Sequence, residues 1–311
     1  MTKLVAVVGP TGSGKSELAL RIAESIVDRG GAAEVVNADS MQFYRGMNIG
    51  TAKLSLGERR GIEHHLLDWL DIRDESTAAE YQVRAREVIE TLQSEGKTPI
   101  LVGGSMLYLA AVLNTFNFPA RDPELRANLE AQLVEVGPNQ MHRKLAELDS
   151  SAASRIDPLN GRRIVRAIEI VMVTGEPFAA ALPDEPESWQ PVLQMGLQGD
   201  RSRLVERLHD RAQRMWSQGL LEEVEALIPL GIREGKTSRQ AIGYAQALAQ
   251  LDGELTEAEA IEATGSLTAK YARRQMSWFR RDSRIRWFDF EDPNTTAAAL
   301  ELVKSEITLG Q

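Results

Sequence analysis

Gly9-Pro10-Thr11-Gly12-Ser13-Gly14-Lys15-Ser16 is the stretch that most limits what this chain can fold into. It satisfies the G-x-x-x-x-G-K-[ST] pattern and lies between an apolar run, Lys3 to Val8, and a segment with helical spacing through Leu18, Ile22 and Ile26. A strand, a glycine-rich loop and a helix in that order form a phosphate cradle. The glycines let backbone amides converge on phosphate oxygens, and the helix N-terminus adds positive potential. Lys15 neutralises charge, and the Ser16 hydroxyl can hold Mg²⁺. The motif alone does not say which phosphate compound is held.

A second strand is expected over Glu34 to Ala38, then a helix through Tyr81, Ala85, Val88 and Leu92, then a strand from Thr98 to Val102 that ends at Gly103-Gly104. Strands alternating with helices predict an α/β fold, a phosphate-loop parallel sheet flanked by helices. From residue 117 to 189 the strand pattern is lost and helical segments alternate with breakers such as Gly137-Pro138 and Asp157-Pro158. The organisation expected is therefore a catalytic core of residues 1–116 and 190–290, a helical insertion at 117–189, and a tail at 291–311 without chemical signature. Pro191 to Leu197 is expected to be the last core strand, with helix to about Arg281.

Composition removes several classes of function. The chain has no cysteine, which excludes disulfides, thiol catalysis and cysteine-ligated metal, and four histidines do not favour a transition-metal site. His64 and His65 read as strand or loop packing residues, as do Met106 and Tyr108. The apolar run before Gly9 is too short for a signal peptide or a membrane span, so a cytoplasmic protein with no membrane partner is expected. A net charge of -9 argues against a polyanionic partner, but positive charge is concentrated locally. Arg162 and Arg166 share a helix face apart from Ile164, Ile168 and Val171. Lys270, Arg273, Arg274 and Arg281 lie opposite Leu267, Tyr271 and Trp278. Such faces are commonly just solvated; two of them could also clamp RNA through its phosphates. Trp278 could stack on a base, although its spacing with Tyr271 favours packing.

A nucleotide hydrolase usually has a second acid at a strand end to hold its metal. Here Ile100-Leu-Val-Gly-Gly ends in glycine, and the carboxylate well placed at a strand end is Asp39. Ligands of doubly wound sheets gather at such ends, so Asp39 should lie near the phosphate loop. A base beside a diphosphate suits alkyl transfer to a weakly basic amine, and a kinase needs one too. An Asx-turn or helix cap before Ser40 is the structural alternative.

Taken together, Gly9 to Ser16, Asp39-Ser-Met-Gln-Phe-Tyr44, Gly46-Met-Asn-Ile-Gly-Thr-Ala-Lys53, His64-His-Leu-Leu-Asp68, Leu101-Val-Gly-Gly-Ser-Met-Leu-Tyr108 and Arg273-Arg-Gln-Met-Ser-Trp-Phe-Arg280 resemble the bacterial tRNA dimethylallyltransferases, also called tRNA isopentenyltransferases. The resemblance implies transfer of a dimethylallyl group from its diphosphate to the exocyclic amine of the adenosine immediately 3′ of the anticodon, with Mg²⁺. Its partners would be the anticodon stem-loop of tRNA and dimethylallyl diphosphate, and a monomer is expected. By position, Asp39 would be the general base. Gly9 to Ser16 would grip the diphosphate, with Thr11 and one of Arg207 or Arg211 adding to the catalytic group. Asp39, Ser40, Met41 and Gln42 would touch tRNA, and so would Ser105, Arg126, Arg162, Arg163, Arg166, Arg239, Gln240, Gly243, Tyr244, Arg273 and Arg274. Ser105 stands where the family usually has threonine, and Asn48, Leu54 and Glu63 replace its aspartate, proline and proline. Prenylation of free adenine nucleotides, a small-molecule kinase, and a non-catalytic RNA-binding protein with a vestigial loop stand as rival readings.

Overall fold

A computed structural model describes residues 2–115, 118, 121–178 and 187–307. Each strand–helix pair begins where the apolar pattern changes period. β1 (Leu4–Val8) leads through the phosphate loop into α1 (Lys15–Asp28), and β2 (Ala33–Asn37) follows. β3 (His64–His65) lies beyond a long connection; α2 (Ala78–Ser94), β4 (Thr98–Val102) and α3 (Met106–Leu113) complete this half. Four helices come next: α4 (Pro123–Val136), α5 (Pro138–Leu148), α6 (Ser150–Arg155) and α7 (Gly161–Thr174). The chain then supplies β5 (Val192–Gln198), α8 (Arg201–Ser217), α9 (Leu220–Leu227), α10 (Tyr244–Leu251), α11 (Glu257–Phe279), β6 (Arg286–Asp289) and α12 (Thr295–Glu306).

The sheet is parallel with strand order β3-β2-β4-β1-β5-β6. Its central strands alternate between two apolar layers, as the strand period requires. Leu4, Ala6 and Val8 face one layer with Tyr81, Ile89, Leu109 and Leu220, while Val5 and Val7 face the other with Ile22, Ile26, Ala299 and Val303. β1 sits between β4 and β5, so the loop leaving it opens on the crevice at the carboxyl ends of the strands. No helix of the described residues is long and apolar enough to cross a membrane.

Two expectations change. Pro191 to Leu197 is not the last strand, because β6 adds a sixth beside β5, pairing Met195 with Arg286 and Leu197 with Phe288. Residues 291–311 are not a plain tail. Through residue 307 they carry α12, whose Ala299 and Val303, with Ile307 just beyond, are buried against α1's layer. Short alanine-rich helices carry little periodic signal, and a four-residue strand carries less.

The chain divides into two units, Met1–Thr115 with Glu187–Gln311, and Phe116–Pro186. The second has its own core: Leu129, Met141, Leu145, Ala152, Ile164, Val165 and Ile168. Glu169 is fully buried in it, accepts a hydrogen bond from Arg126 at 3.0 Å and forms an ion pair with Arg166 at 2.9 Å. Arg166, expected on an outward-facing helix side, and Arg126, which the resemblance places at the tRNA surface, are therefore engaged by an internal carboxylate. Arg162 and Arg163 are exposed.

Candidate active site

The phosphate loop is held by contacts that the motif does not reveal. Gly9 has φ +139, and a Cβ there would lie 2.7 Å from the Leu197 carbonyl oxygen, so only glycine lets β1 leave the sheet here. Ser13 and Lys15 both donate to the Pro10 carbonyl, at 2.8 and 2.7 Å. Burial pulls the Lys15 ammonium down to about 8, against the opposing pull of the Asp39 carboxylate and with a contribution from the Arg211 cation. Ser16 is exposed in the first turn of α1.

β2 ends at Asn37, whose side chain accepts the Asp39 N–H at 3.0 Å and donates to the Asp39 and Leu66 carbonyls. One Asp39 oxygen, Oδ1, accepts the Met41 N–H at 3.0 Å, so the capping role is real. It occupies that oxygen alone; Oδ2 has no partner among the described residues. Ser105, at the start of α3, receives the Ser40 N–H at 3.1 Å and lies 3.2 Å from the Ser40 hydroxyl. Burial and the Asp39 charge raise Tyr271 to about 12 and Tyr81 well above its ordinary value. The Asp39 charge thus acts on Lys15, Arg211, Tyr271 and Tyr81, the last of which donates its hydroxyl to the Asn37 carbonyl at 2.7 Å.

Asp39, Arg211 and Tyr271 share one cavity of about 290 Å³. Thr11, Asp39, Ser40, Ser105, Arg211 and Arg274 form its polar wall. Leu208, Ala212, Met215, Ala241 and Ile242 form an apolar one, and Met41 and Gln240 also line it. Arg211 donates to the Thr11 hydroxyl at 3.2 Å, and its Nε is buried with no hydrogen-bond partner among the described residues. Burial lowers the Arg211 pKa, and Asp39 opposes the shift.

Of the two arginines offered for the diphosphate, Arg211 lines this cavity and Arg207 does not. Arg207 is exposed, with its guanidinium 5.0 Å from the centre of the Phe290 ring. Four residues apart, the two share a face of α8, but the turn between them puts Arg211 beside Thr11 and Arg207 beside Phe290. Gln42 is turned to the neighbouring loop, donating to Thr51 at 3.0 Å. Tyr244, expected at the RNA surface, is fully buried and hydrogen-bonds Glu223 at 2.5 Å. The same carboxylate accepts the N–H groups of Asn48 and Ile49 at 3.1 and 2.9 Å, so Tyr244 and Glu223 fix a loop of the cavity wall. Gly243 serves as the N-cap of α10, and exposed Arg239 donates to the Arg233 carbonyl at 3.3 Å.

A second cavity of about 640 Å³ adjoins Pro10, with Arg201, Lys270, Arg273 and Arg280 in its wall and no carboxylate. Arg274 packs 5.6 Å from the Tyr271 ring. Trp278 is half-buried against the core, as its spacing suggests, but Leu267 is exposed. The buried face of α11 runs through Ala260, Thr264, Ala272, Gln275 and Phe279. It contains the residue that sequence reasoning missed. Gln275 accepts the Thr11 N–H at 2.9 Å and donates to the Gly104 carbonyl at 2.8 Å. A glutamine directly after two arginines gives no hint that it faces inward.

A phosphate loop at the end of β1, a carboxylate at the end of β2 and a half-apolar cavity between them define a group transferase of the phosphate-loop fold. Residues 42–282 match the family described as IPP transferase. The tRNA dimethylallyltransferase of Thermobifida fusca is 50% identical over 97% of this chain and 95% of its own length. That of Clavibacter sepedonicus is 50% identical over 97% and 98%. Among solved structures, a tRNA isopentenylpyrophosphate transferase from Bacillus halodurans is 36% identical with a TM-score of 0.70, covering 97% of this chain and 96% of that one. A eukaryotic dimethylallyltransferase acting on tRNA gives 26% and 0.78, covering 100% and 81%. The chain belongs to the IPP transferase family of prenyl-transferring enzymes, the tRNA dimethylallyltransferases.

Proposed function

We propose that this chain transfers a dimethylallyl group from dimethylallyl diphosphate to the exocyclic amine of the adenosine immediately 3′ of the anticodon in tRNA, acting in the cytoplasm. The observation that carries the reading is that Asp39, Arg211 and Thr11 line one cavity that also has an apolar wall of Leu208, Ala212, Met215, Ala241 and Ile242. The phosphate loop and the guanidinium of Arg211 hold the diphosphate, and Leu208, Ala212, Met215 and Ile242 receive the hydrocarbon. Asp39 Oδ2 accepts a proton from the amine as nitrogen bonds to the allylic carbon. The bond from that carbon to the diphosphate oxygen breaks, and the leaving group gathers charge where Lys15 and Arg211 stand.

Mg²⁺ fits as an ion shared with the diphosphate. The Ser16 hydroxyl offers one hard oxygen, and no group of three acidic or histidine side chains among the described residues forms a cage of its own. When bound, the ion neutralises leaving-group charge.

The RNA would lie against Ser40, Met41, Ser105 and Gln240 at the cavity, with Arg239, Arg273, Arg274 and the exposed Arg162 and Arg163 of the insertion, residues 117–189, meeting its phosphates. The base must leave its stack to reach Asp39. Incubation with labelled dimethylallyl diphosphate and unmodified tRNA, AMP, or ATP with candidate acceptors tests the reading. Label in tRNA is expected; label in AMP and never in tRNA sinks it. Asp39→Ala should lower turnover about 10²–10⁴-fold with tRNA binding retained, and an unchanged rate would refute the role of base.

A further inference from the structure

Gly103 and Gly104 close β4 where a nucleotide hydrolase would present an acid, and the structure gives a reason for them. A Cβ at Gly103 would lie 2.5 Å from the Ala38 carbonyl carbon, and one at Gly104 would lie 2.3 Å from Gln275 Nε2. The pair is bare so that β2 on one side and a side-chain amide on the other can come close.

That amide is fully enclosed, with Gln275 only 1% exposed. Its Oε1 takes the Thr11 N–H and its Nε2 gives a proton to the Gly104 carbonyl. The Thr11 amide is thereby withdrawn from phosphate binding, and its hydroxyl is left beside Arg211 at the cavity wall. One side chain from α11 thus joins the phosphate loop, the end of β4 and the helix that carries Arg273 and Arg274.

We propose that Gln275 is a positioning residue for the transfer reaction. It holds the phosphate loop in register with α11 so that Thr11 and Arg211 converge on the diphosphate. The inference rests on the reading that the loop holds a prenyl diphosphate. Only a group with one acceptor and one donor, in this order, fits both partners. A carboxylate would set an acceptor against the Gly104 carbonyl. A protonated carboxyl group restores the pattern, and burial favours that neutral form.

The test uses the full-length protein carrying Gln275→Met or Gln275→Glu. Gln275→Met is expected to raise KM for dimethylallyl diphosphate about tenfold and leave KM for tRNA unchanged. Gln275→Glu should match it at about pH 8.5 and recover toward wild type as the pH falls to about 6. Calorimetry with inorganic diphosphate alone should follow the same course without turnover. Every value is compared with wild type at the same pH. This cancels the titration of the ligand and of the groups around this point: Tyr271 on the same helix, Arg211 at Thr11, and Lys15 and Asp39 at the strand ends. Recovery within one polypeptide also excludes misfolding as the cause of the loss. The proposal is overturned by a Gln275→Met protein that binds diphosphate like wild type, by a Gln275→Glu deficit that ignores pH, or by a loss confined to KM for tRNA. Failure of the wild-type protein to bind diphosphate overturns the reading of the loop itself, and this inference with it.

Discussion

α7 of the insertion and α11 of the core look alike in sequence, each a basic helix with an apolar face, yet their cations are spent differently. On α7, Arg166 turns to buried Glu169, which also draws in Arg126 from α4. On α11, Lys270 and Arg273 line a cavity whose wall has no carboxylate. Further on, Arg284 is bound to Asp282, Ser188 and Asn114, and Arg286 to Glu306. Counting arginines on a helix face therefore does not count cations available to a partner. A buried glutamate on the same helix is enough to take Arg166 and Arg126 out of that count while Arg162 and Arg163 stay exposed.

The strongest way to break this contrast is to remove the glutamate. Glu169→Ala should destabilise the protein by about 3 kcal/mol, because Arg126 and Arg166 lose their internal counter-charge. Denaturant unfolding measures it, and a change below about 0.5 kcal/mol would return both arginines to the solvated class. Next in size, Arg211→Ala should lower kcat/KM about 100-fold, whereas Arg207→Ala should stay within about twofold. Equal losses would erase the distinction between the two.

Lys15 supplies a pH test. Its pKa is lowered to about 8, so the free protein loses this cation as pH rises through that value. Measured against Lys15→Met at the same pH, which cancels the titration of the ligand, the advantage in affinity for inorganic diphosphate should be steady below about pH 8 and decline above it, by at most about tenfold per pH unit. The smallest effect expected is Arg273→Ala, a few-fold weaker tRNA binding with the salt dependence reduced by about one charge. Arg126→Ala should alter stability and leave that slope nearly unchanged. A lower slope for Arg126→Ala would blur the two helices again.

Much of the core was legible because its signals are local. Gly9 to Ser16 needs only a strand before it and a helix after it, and Asp39 needs only a strand end. β6 and α12 were not legible, since four strand residues and an alanine-rich turn-and-a-half of buried surface carry too little pattern. Within the site, positional resemblance could not tell that Tyr244 is occupied by Glu223, or which of Arg207 and Arg211 turns inward. Helical spacing assigns Leu267 to the apolar side of α11, but burial selects Gln275 instead.

The sequence by itself determined the alternation of the central strands β1, β2, β4 and β5 with helices, the phosphate loop and the acid beside it, because each follows from backbone geometry and apolar period over a few residues. Tertiary structure alone decided which polar groups are consumed. Glu169, Glu223 and Gln275 lie 43, 175 and 264 residues from partners they satisfy. Burial makes an unpaired polar group expensive, so such long-range pairs are fixed by packing that no local pattern encodes.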